Sequence, residues 1–264
     1  MKQILVTGAA GGMGQATVDL LAKSGYRVFA IDKTPIEAKE NIVPIVADLT
    51  QEESVRVAFE SVSKEADALC GILHLAGIYL LDSLVEISPS SFEKAFAVNL
   101  GAAFLVNKTF LPLLSSGSKI IHVTSELAVR DPLPFTGLYG ITKAALDRYA
   151  YSLRMELQLK NISVSVLRAG AVDTGMIAAS TAQLDAFCRD TKLYSCNAKR
   201  FKKIVDSVEA RRVPPERIAK KLARILEKRR ARFAYSLNRN PLLILFDCLP
   251  KSLRFFLIRR ILQD

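Results

Sequence analysis

Lys2-Gln3-Ile4-Leu5-Val6-Thr7-Gly8-Ala9-Ala10-Gly11-Gly12-Met13-Gly14 follows the initial methionine. Residues 3–7 form an apolar run of strand length, four glycines interrupt it, and residues 12–24 carry apolar side chains at helical spacing. Strand, glycine turn and helix in that order open a βαβ unit. In such a unit Gly8 allows the tight turn, Gly12 lets the backbone approach a pyrophosphate, and Gly14 allows helix and strand to pack closely. The free N–H groups at the helix start, around Met13, favour phosphate oxygens. The stretch therefore points to a bound dinucleotide.

The same alternation runs on. Strand-like runs at 27–31, 43–47, 69–75, 119–124, 163–167 and 232–236 alternate with helical patterns near 12–24, 52–66, 88–114 and 138–160. A further helix is expected after Pro214-Pro215, to about Lys228. This predicts an α/β fold: one doubly wound parallel sheet of about seven strands with helices on both faces. Residues 1–236 are expected to form the domain, with a helical substrate loop at 176–210. An apolar–basic extension follows at 237–264, broken at Pro250.

The 264 residues are half apolar, which excludes general disorder. No run approaches the ~20 uninterrupted apolar residues of a bilayer span, and the strand beginning at the second residue is unlike a secretory leader. The cysteines, Cys70, Cys188, Cys196 and Cys248, form no C-x-x-C pair, and with two histidines no metal set is expected. A reducing, cytoplasmic compartment is the expectation. The charge is uneven. Residues 1–198 carry 18 Lys/Arg and 20 Asp/Glu, whereas residues 199–264 carry 19 and 6. Such a basic end suits an anionic partner or a solvated helix face. Nucleic acid is not expected, because the bulky tail residues are mostly aliphatic and no recognised module is present. A tail covering the substrate pocket, a membrane-surface contact and a purely structural tail remain open alternatives.

Asp32 ends the second strand, where a carboxylate accepts hydrogen bonds from a ribose diol and repels a 2′-phosphate. NAD(H) is therefore expected over NADP(H), with adjacent Lys33 able to soften the preference. Asp48 and Leu49, after the third strand, are candidates for the adenine edge. Tyr139 and Lys143 share one helix face, where an ammonium favours the phenolate needed for acid/base work on an alcohol/carbonyl pair. Ser125 ends the fifth strand and is placed to bind the substrate oxygen. Asn99 is a poor helix former inside a helical stretch, and its amide is expected to hold a water.

In this order and spacing Thr7–Gly14, Asn99, Ser125 and Tyr139-x-x-x-Lys143 resemble the short-chain dehydrogenase/reductase family of Rossmann-fold enzymes, over roughly residues 1–236. The resemblance implies Tyr139 as proton donor or acceptor and Lys143 as a ribose ligand that lowers the tyrosine pKa. It makes Ser125 the substrate positioner and Asn99 the support for a relay water. Ala76 and Gly77 would keep the close approach to the cofactor, and Val172 and Thr174 would hold the carboxamide. It also implies a homodimer or homotetramer through the helices at 88–114 and 138–160. There are departures. His74-Leu75 replaces the family's Asn-Asn, and Ala169-Gly170 replaces its Pro-Gly, which is expected to loosen the backbone. His74 and His122 are expected in the core.

Leu80, Leu81, Leu127, Leu133, Phe135, Met176 and Ile177 are expected near the nicotinamide, favouring a lipophilic alcohol or ketone. The tail is similar to extensions in the hydroxysteroid and retinol dehydrogenase branch. The leading expectation is an NAD-dependent dehydrogenase of a bulky secondary alcohol. The alternatives are a 3-oxoacyl thioester reductase and a dinucleotide-binding regulatory protein without turnover.

Overall fold

The computed structural model describes residues 1–209 and 211–263; side chains at 177, 178, 180 and 207–209 are also outside the description. The last residues of the expected loop and of the expected tail, 210 and 264, thus lie outside the described residues, as does the side chain of Ile177.

In chain order the elements are β1 (Lys2–Thr7), α1 (Gly12–Lys23), β2 (Tyr26–Asp32), β3 (Ile42–Val46), α2 (Glu52–Ser63), β4 (Leu69–His74), α3 (Pro89–Phe96), α4 (Ala102–Phe110), β5 (Leu114–Ser125), α5 (Gly137–Leu157), β6 (Ser163–Ala169), α6 (Gly175–Asp190), α7 (Ser195–Glu209), α8 (Pro215–Leu226), β7 (Ala234–Leu237), α9 (Pro241–Asp247) and α10 (Lys251–Leu262). The strands form one parallel sheet ordered β3-β2-β1-β4-β5-β6-β7.

Successive strand side chains point to opposite faces, and here both faces are covered. Ile4, Val6, Val28 and Ala30 pack with Val18 and Leu21 of α1 and Ile218, Leu222 and Ile225 of α8. Leu5, Phe29 and Ile31 turn the other way, onto Val55 and Val62 of α2, Val106 and Phe110 of α4, and Ala150 of α5. This explains why the strands read as unbroken apolar runs rather than alternating ones. A slip of one residue in β1 would exchange its two buried sets, so the register is strongly specified.

The stretch Pro89–Leu113 is long and apolar enough to cross a membrane by length and composition. In this fold its inner residues Ala102, Val106, Phe110 and Leu113 belong to the core beside the sheet. It is not one α-helix: Ala97–Gly101 forms a π-helical turn between α3 and α4, and Asn99 sits inside it. That turn accommodates a residue a regular helix disfavours.

A third cluster lies beyond the sheet. Leu184 and Phe187 of α6, Ala198 and Phe201 of α7 and Leu262 of α10 bury around Leu81. Each fully buried Leu or Phe contributes about 1.5–3 kcal/mol, enough for this cluster to hold the tail onto the loop helices.

Candidate active site

The glycine turn is shaped by backbone crowding. Gly8 has φ +69°, and a Cβ there would lie 2.6 Å from Ala76 Cα. A Cβ on Gly14 would lie 2.7 Å from Ala9 Cα and would also strike the Gly8 carbonyl oxygen. A Cβ on Gly12 would come within 3.0 Å of Thr174 Cγ2, so the turn also receives the segment after β6. α1 has no side-chain cap and no acid in its first turn, which leaves its N-terminus to an anion.

Asp32 closes β2 beside this turn. One carboxylate oxygen accepts from Ala10 N at 3.1 Å and the other from Thr34 N at 3.0 Å, which fixes the group at the strand end. The structure differs from expectation at the next strand. The Asp48 carboxylate turns to Thr50, accepting from its N–H and hydroxyl at 2.9 and 2.7 Å, and these bonds hold its pKa low. Leu49 is buried with the α2 side of the core. The turn into α2 holds one oxygen of the exposed Asp48 carboxylate, while packing takes the Leu49 side chain.

Ser125, Tyr139 and Lys143 converge in a cleft of about 150 Å³ at the carboxyl ends of the strands. Met13, Gly77, Leu127, Val172, Thr174 and Met176 line it as well. Leu127 N donates to Ser125 Oγ at 3.2 Å, and the Ser125 side chain is hydrogen-bonded to the Tyr139 phenol. Lys143 Nζ donates to the Val123 carbonyl at 3.4 Å and lies 5.8 Å from the Tyr139 ring centre. A Cβ on Gly77 would meet Lys143 Nζ and Asn99 Oδ1, each at 3.1 Å. One turn after Lys143, Asp147 takes both Arg168 Nε and Nη2, at 2.9 and 2.8 Å, tying α5 to β6.

Burial pushes the Tyr139 phenol up to about 12, with the Ser125 hydrogen bond opposing it, and pushes Lys143 down to about 8. The net shift of the tyrosine is thus upward, because burial outweighs the Ser125 hydrogen bond. Asn99 Oδ1 accepts from Ile78 N at 2.8 Å, while Nδ2 donates to the Ile78 carbonyl and to Thr142 Oγ1, each at 3.0 Å. The amide ties down the loop after β4.

Phe135 is not in the cleft. At φ +62° it packs against Phe187, Tyr194 and Phe201, and Leu81 is fully buried in the same cluster. Leu81 comes from the loop after β4 and Phe135 from the segment before α5, and the two loops are joined where Asp82 N donates to the Phe135 carbonyl at 2.9 Å. Gly170 is locked, not loosened: a Cβ would lie 2.9 Å from the Asn238 carbonyl carbon. Several lining residues were not singled out as site residues from the sequence, among them Tyr79 and, from the tail for which a pocket-covering role was one alternative, Leu243. Tyr79 stacks edge-on against Tyr139 at 4.5 Å, and Leu243 reaches the cleft from α9. Their apolar or aromatic character was visible, but only the chain path places them here.

His74 and His122 are neighbours across β4 and β5, stacked at 4.4 Å and buried. His74 Nε2 meets Asn107 Oδ1 at 2.8 Å, whereas both His122 nitrogens lack a protein partner. Burial pushes His74 down to about 4 and His122 in the same direction. Below pH about 6.5 the unfolded chain therefore takes up protons that the folded chain refuses. Stability is complete above that pH and falls toward pH about 4, by about 3 kcal/mol for His74 alone. His122→Phe keeps a ring on His74 without a titrating group. Urea unfolding should show its stability declining less steeply than wild type between pH about 7 and 5; parallel declines would contradict this.

The comparisons with known proteins meet this geometry. A sequence model of the family described as short chain dehydrogenase matches residues 2–185. The chain is a short-chain dehydrogenase/reductase. It is 26% identical to a 3-ketodihydrosphingosine reductase of Bacteroides thetaiotaomicron over 231 residues, covering 81% of this chain and 86% of that protein. It is 31% identical over 188 residues to estradiol 17-beta-dehydrogenase 2 of Mus musculus, covering 66% of this chain but only 49% of that protein. A crystal structure of a short chain dehydrogenase family protein from Francisella tularensis superposes with a TM-score of 0.75 at 23% identity, covering 90% of this chain and 97% of that one, which shows the shared fold. As a member of this family the enzyme is an oxidoreductase that uses a nicotinamide dinucleotide.

Proposed function

We propose that this dehydrogenase/reductase interconverts a lipophilic secondary alcohol, steroid-like or retinoid-like in bulk, and its ketone, with NAD(H) as cofactor. The observation that carries the reading is the convergence of Ser125, Tyr139 and Lys143 in a cleft whose lining includes Tyr79, Leu127, Met176 and Leu243, with Thr124, Glu126 and Thr174 as its other polar side chains. The two curated relatives are named for a keto-sphingoid base and for estradiol, both lipophilic alcohol/ketone pairs. At about 150 Å³ the cleft is smaller than the ~300–1,000 Å³ of drug-sized pockets, so a bulky substrate requires α9 and Leu243 to yield.

The residues fit a dinucleotide: a Cβ at Gly8 or Gly14 would strike backbone atoms, so the turn stays tight, and the uncapped N-terminus of α1 is open to a pyrophosphate. Gly8, Gly12, Met13 and Gly14 would take the pyrophosphate, Asp32 the adenosine ribose, and Lys143 the other ribose. Ala76, Gly77, Val172 and Thr174 would flank the nicotinamide. The bound cofactor supplies the hydride donor or acceptor. Tyr139 Oη gives its proton to the substrate oxygen in reduction and takes it back in oxidation. Ser125 Oγ hydrogen-bonds that oxygen. A phenol near 12 is protonated at neutral pH and has a proton to donate to a ketone. The Lys143 cation favours the phenolate, and so assists oxidation.

For the assembly we propose a homodimer or homotetramer through α4 and α5. Phe104, Tyr151 and Met155 on these helices are 47%, 49% and 51% exposed, apolar area suited to a partner copy.

The test is turnover of a panel of steroid, retinoid and 3-oxoacyl thioester substrates with both cofactors. Lipophilic alcohols should be oxidised with kcat/KM at least about tenfold higher for NAD than for NADP, and Asp32→Ala should erase that preference. Equal use of NADP by the wild type would place another cation, such as Lys33, in control. Turnover of acyl thioesters alone would replace the lipophilic-alcohol reading.

A further inference from the structure

The tail presents a surface that the cleft chemistry does not use. α9 turns Leu243 toward the cleft, while Leu242 and Leu245, one turn apart, are 62% and 66% exposed. α10 turns Ile258 and Leu262 inward onto the cluster with α7, and Asn197 Nδ2 donates to the Leu262 carbonyl at 2.6 Å. Nearer the start of the same helix, Phe255 and Phe256 are 70% and 62% exposed. Exposed Lys251 lies one turn before them, and exposed Arg259 and Arg260 one turn after. An exposed aromatic pair between basic residues, on a helix anchored by its other end, is not explained by the fold.

Charge decides what fits it. Within residues 238–263 the single acid is Asp247, which is paired with buried Arg130 and lies 3.8 Å from Arg254. Lys251 reaches Asp131 at 3.6 Å, a solvent-exposed pair of little worth. A second copy docking by this same patch would set like charges against each other, with only Asp131, already held by Lys251 and Arg254, beside them. An anionic surface with an apolar interior satisfies both components.

We propose that the outer side of α9 and α10 docks this enzyme on an anionic lipid bilayer. Leu242, Leu245, Phe255 and Phe256 enter the headgroup boundary, and Lys251, Arg259 and Arg260 meet the lipid phosphates. Because Leu243 lies on the docking helix, the movable wall of the cleft belongs to the membrane-facing element. The proposal rests on this surface and not on the identity of the substrate.

The test is co-sedimentation of the full chain with vesicles of phosphatidylcholine alone or with about one-third phosphatidylglycerol. Binding to the anionic vesicles should be at least about tenfold tighter and should weaken with added salt. Phe255→Ser with Phe256→Ser should reduce it about tenfold or more with an unchanged circular-dichroism melting curve. Arg259→Gln with Arg260→Gln should remove most of the preference for anionic vesicles, and carries the test should the serine variant melt early. Equal binding to both vesicles, no binding, or binding indifferent to both variants overturns the proposal. So does an oligomer, seen by light scattering, that the serine variant dissociates without any vesicle binding in the wild type: the face would then join copies of the chain.

Discussion

Tyr139→Phe is expected to cut kcat by about 10²–10⁴-fold while dinucleotide binding survives. The substitution keeps the ring, and with it the edge-on contact with Tyr79 and the packing beside Lys143. It removes only the hydroxyl that carries the transferable proton and its bond with Ser125. Steady-state turnover and a separate cofactor titration distinguish the two effects. A variant keeping more than about a third of wild-type kcat would take the proton-transfer role from Tyr139.

Gly14→Ala should fail for a steric reason. The added methyl would lie 2.7 Å from Ala9 Cα and strike the Gly8 carbonyl, both backbone atoms of the turn. Neither can rotate away, so α1 must shift off β1. The expected cost is about 1–3 kcal/mol of stability, with about tenfold or greater loss of dinucleotide affinity as the helix N-terminus moves. Gly175→Ala is the control, since a Cβ there meets nothing within 4 Å. Urea midpoints and cofactor titrations for the two variants check this. A stable Gly14→Ala protein with unchanged affinity would mean the turn is looser than its contacts indicate.

The strands were legible because burial on both faces leaves an apolar run with no polar interruption, as in Ile4–Val6 and Ile120–Ile121. Tyr139 and Lys143 were legible because helical spacing alone puts them on one side. Asn99 was visible as an anomaly, but its π-helical turn and its bonds to Ile78 and Thr142 depend on segments far away in sequence. Phe135 looked like a pocket residue, because an aromatic near Tyr139 carries no sign of which way its loop turns. Leu243 is one of several apolar residues in the tail. Its place in the cleft follows from the path across Gly170 and Asn238, and from the buried N–H of Asn240 donating to Glu126 at 2.8 Å. The raised phenol pKa reflects enclosure, which no local spacing encodes.

The central claim is hydride exchange between a lipophilic alcohol and the dinucleotide at Tyr139. The most direct measurement is turnover of such an alcohol deuterated at its carbinol carbon, with the recovered cofactor examined by mass spectrometry. The account predicts NADH carrying one deuterium with the wild-type enzyme and almost none with Tyr139→Phe. Cofactor without deuterium across the whole alcohol panel, from wild-type enzyme that binds NAD, would contradict it.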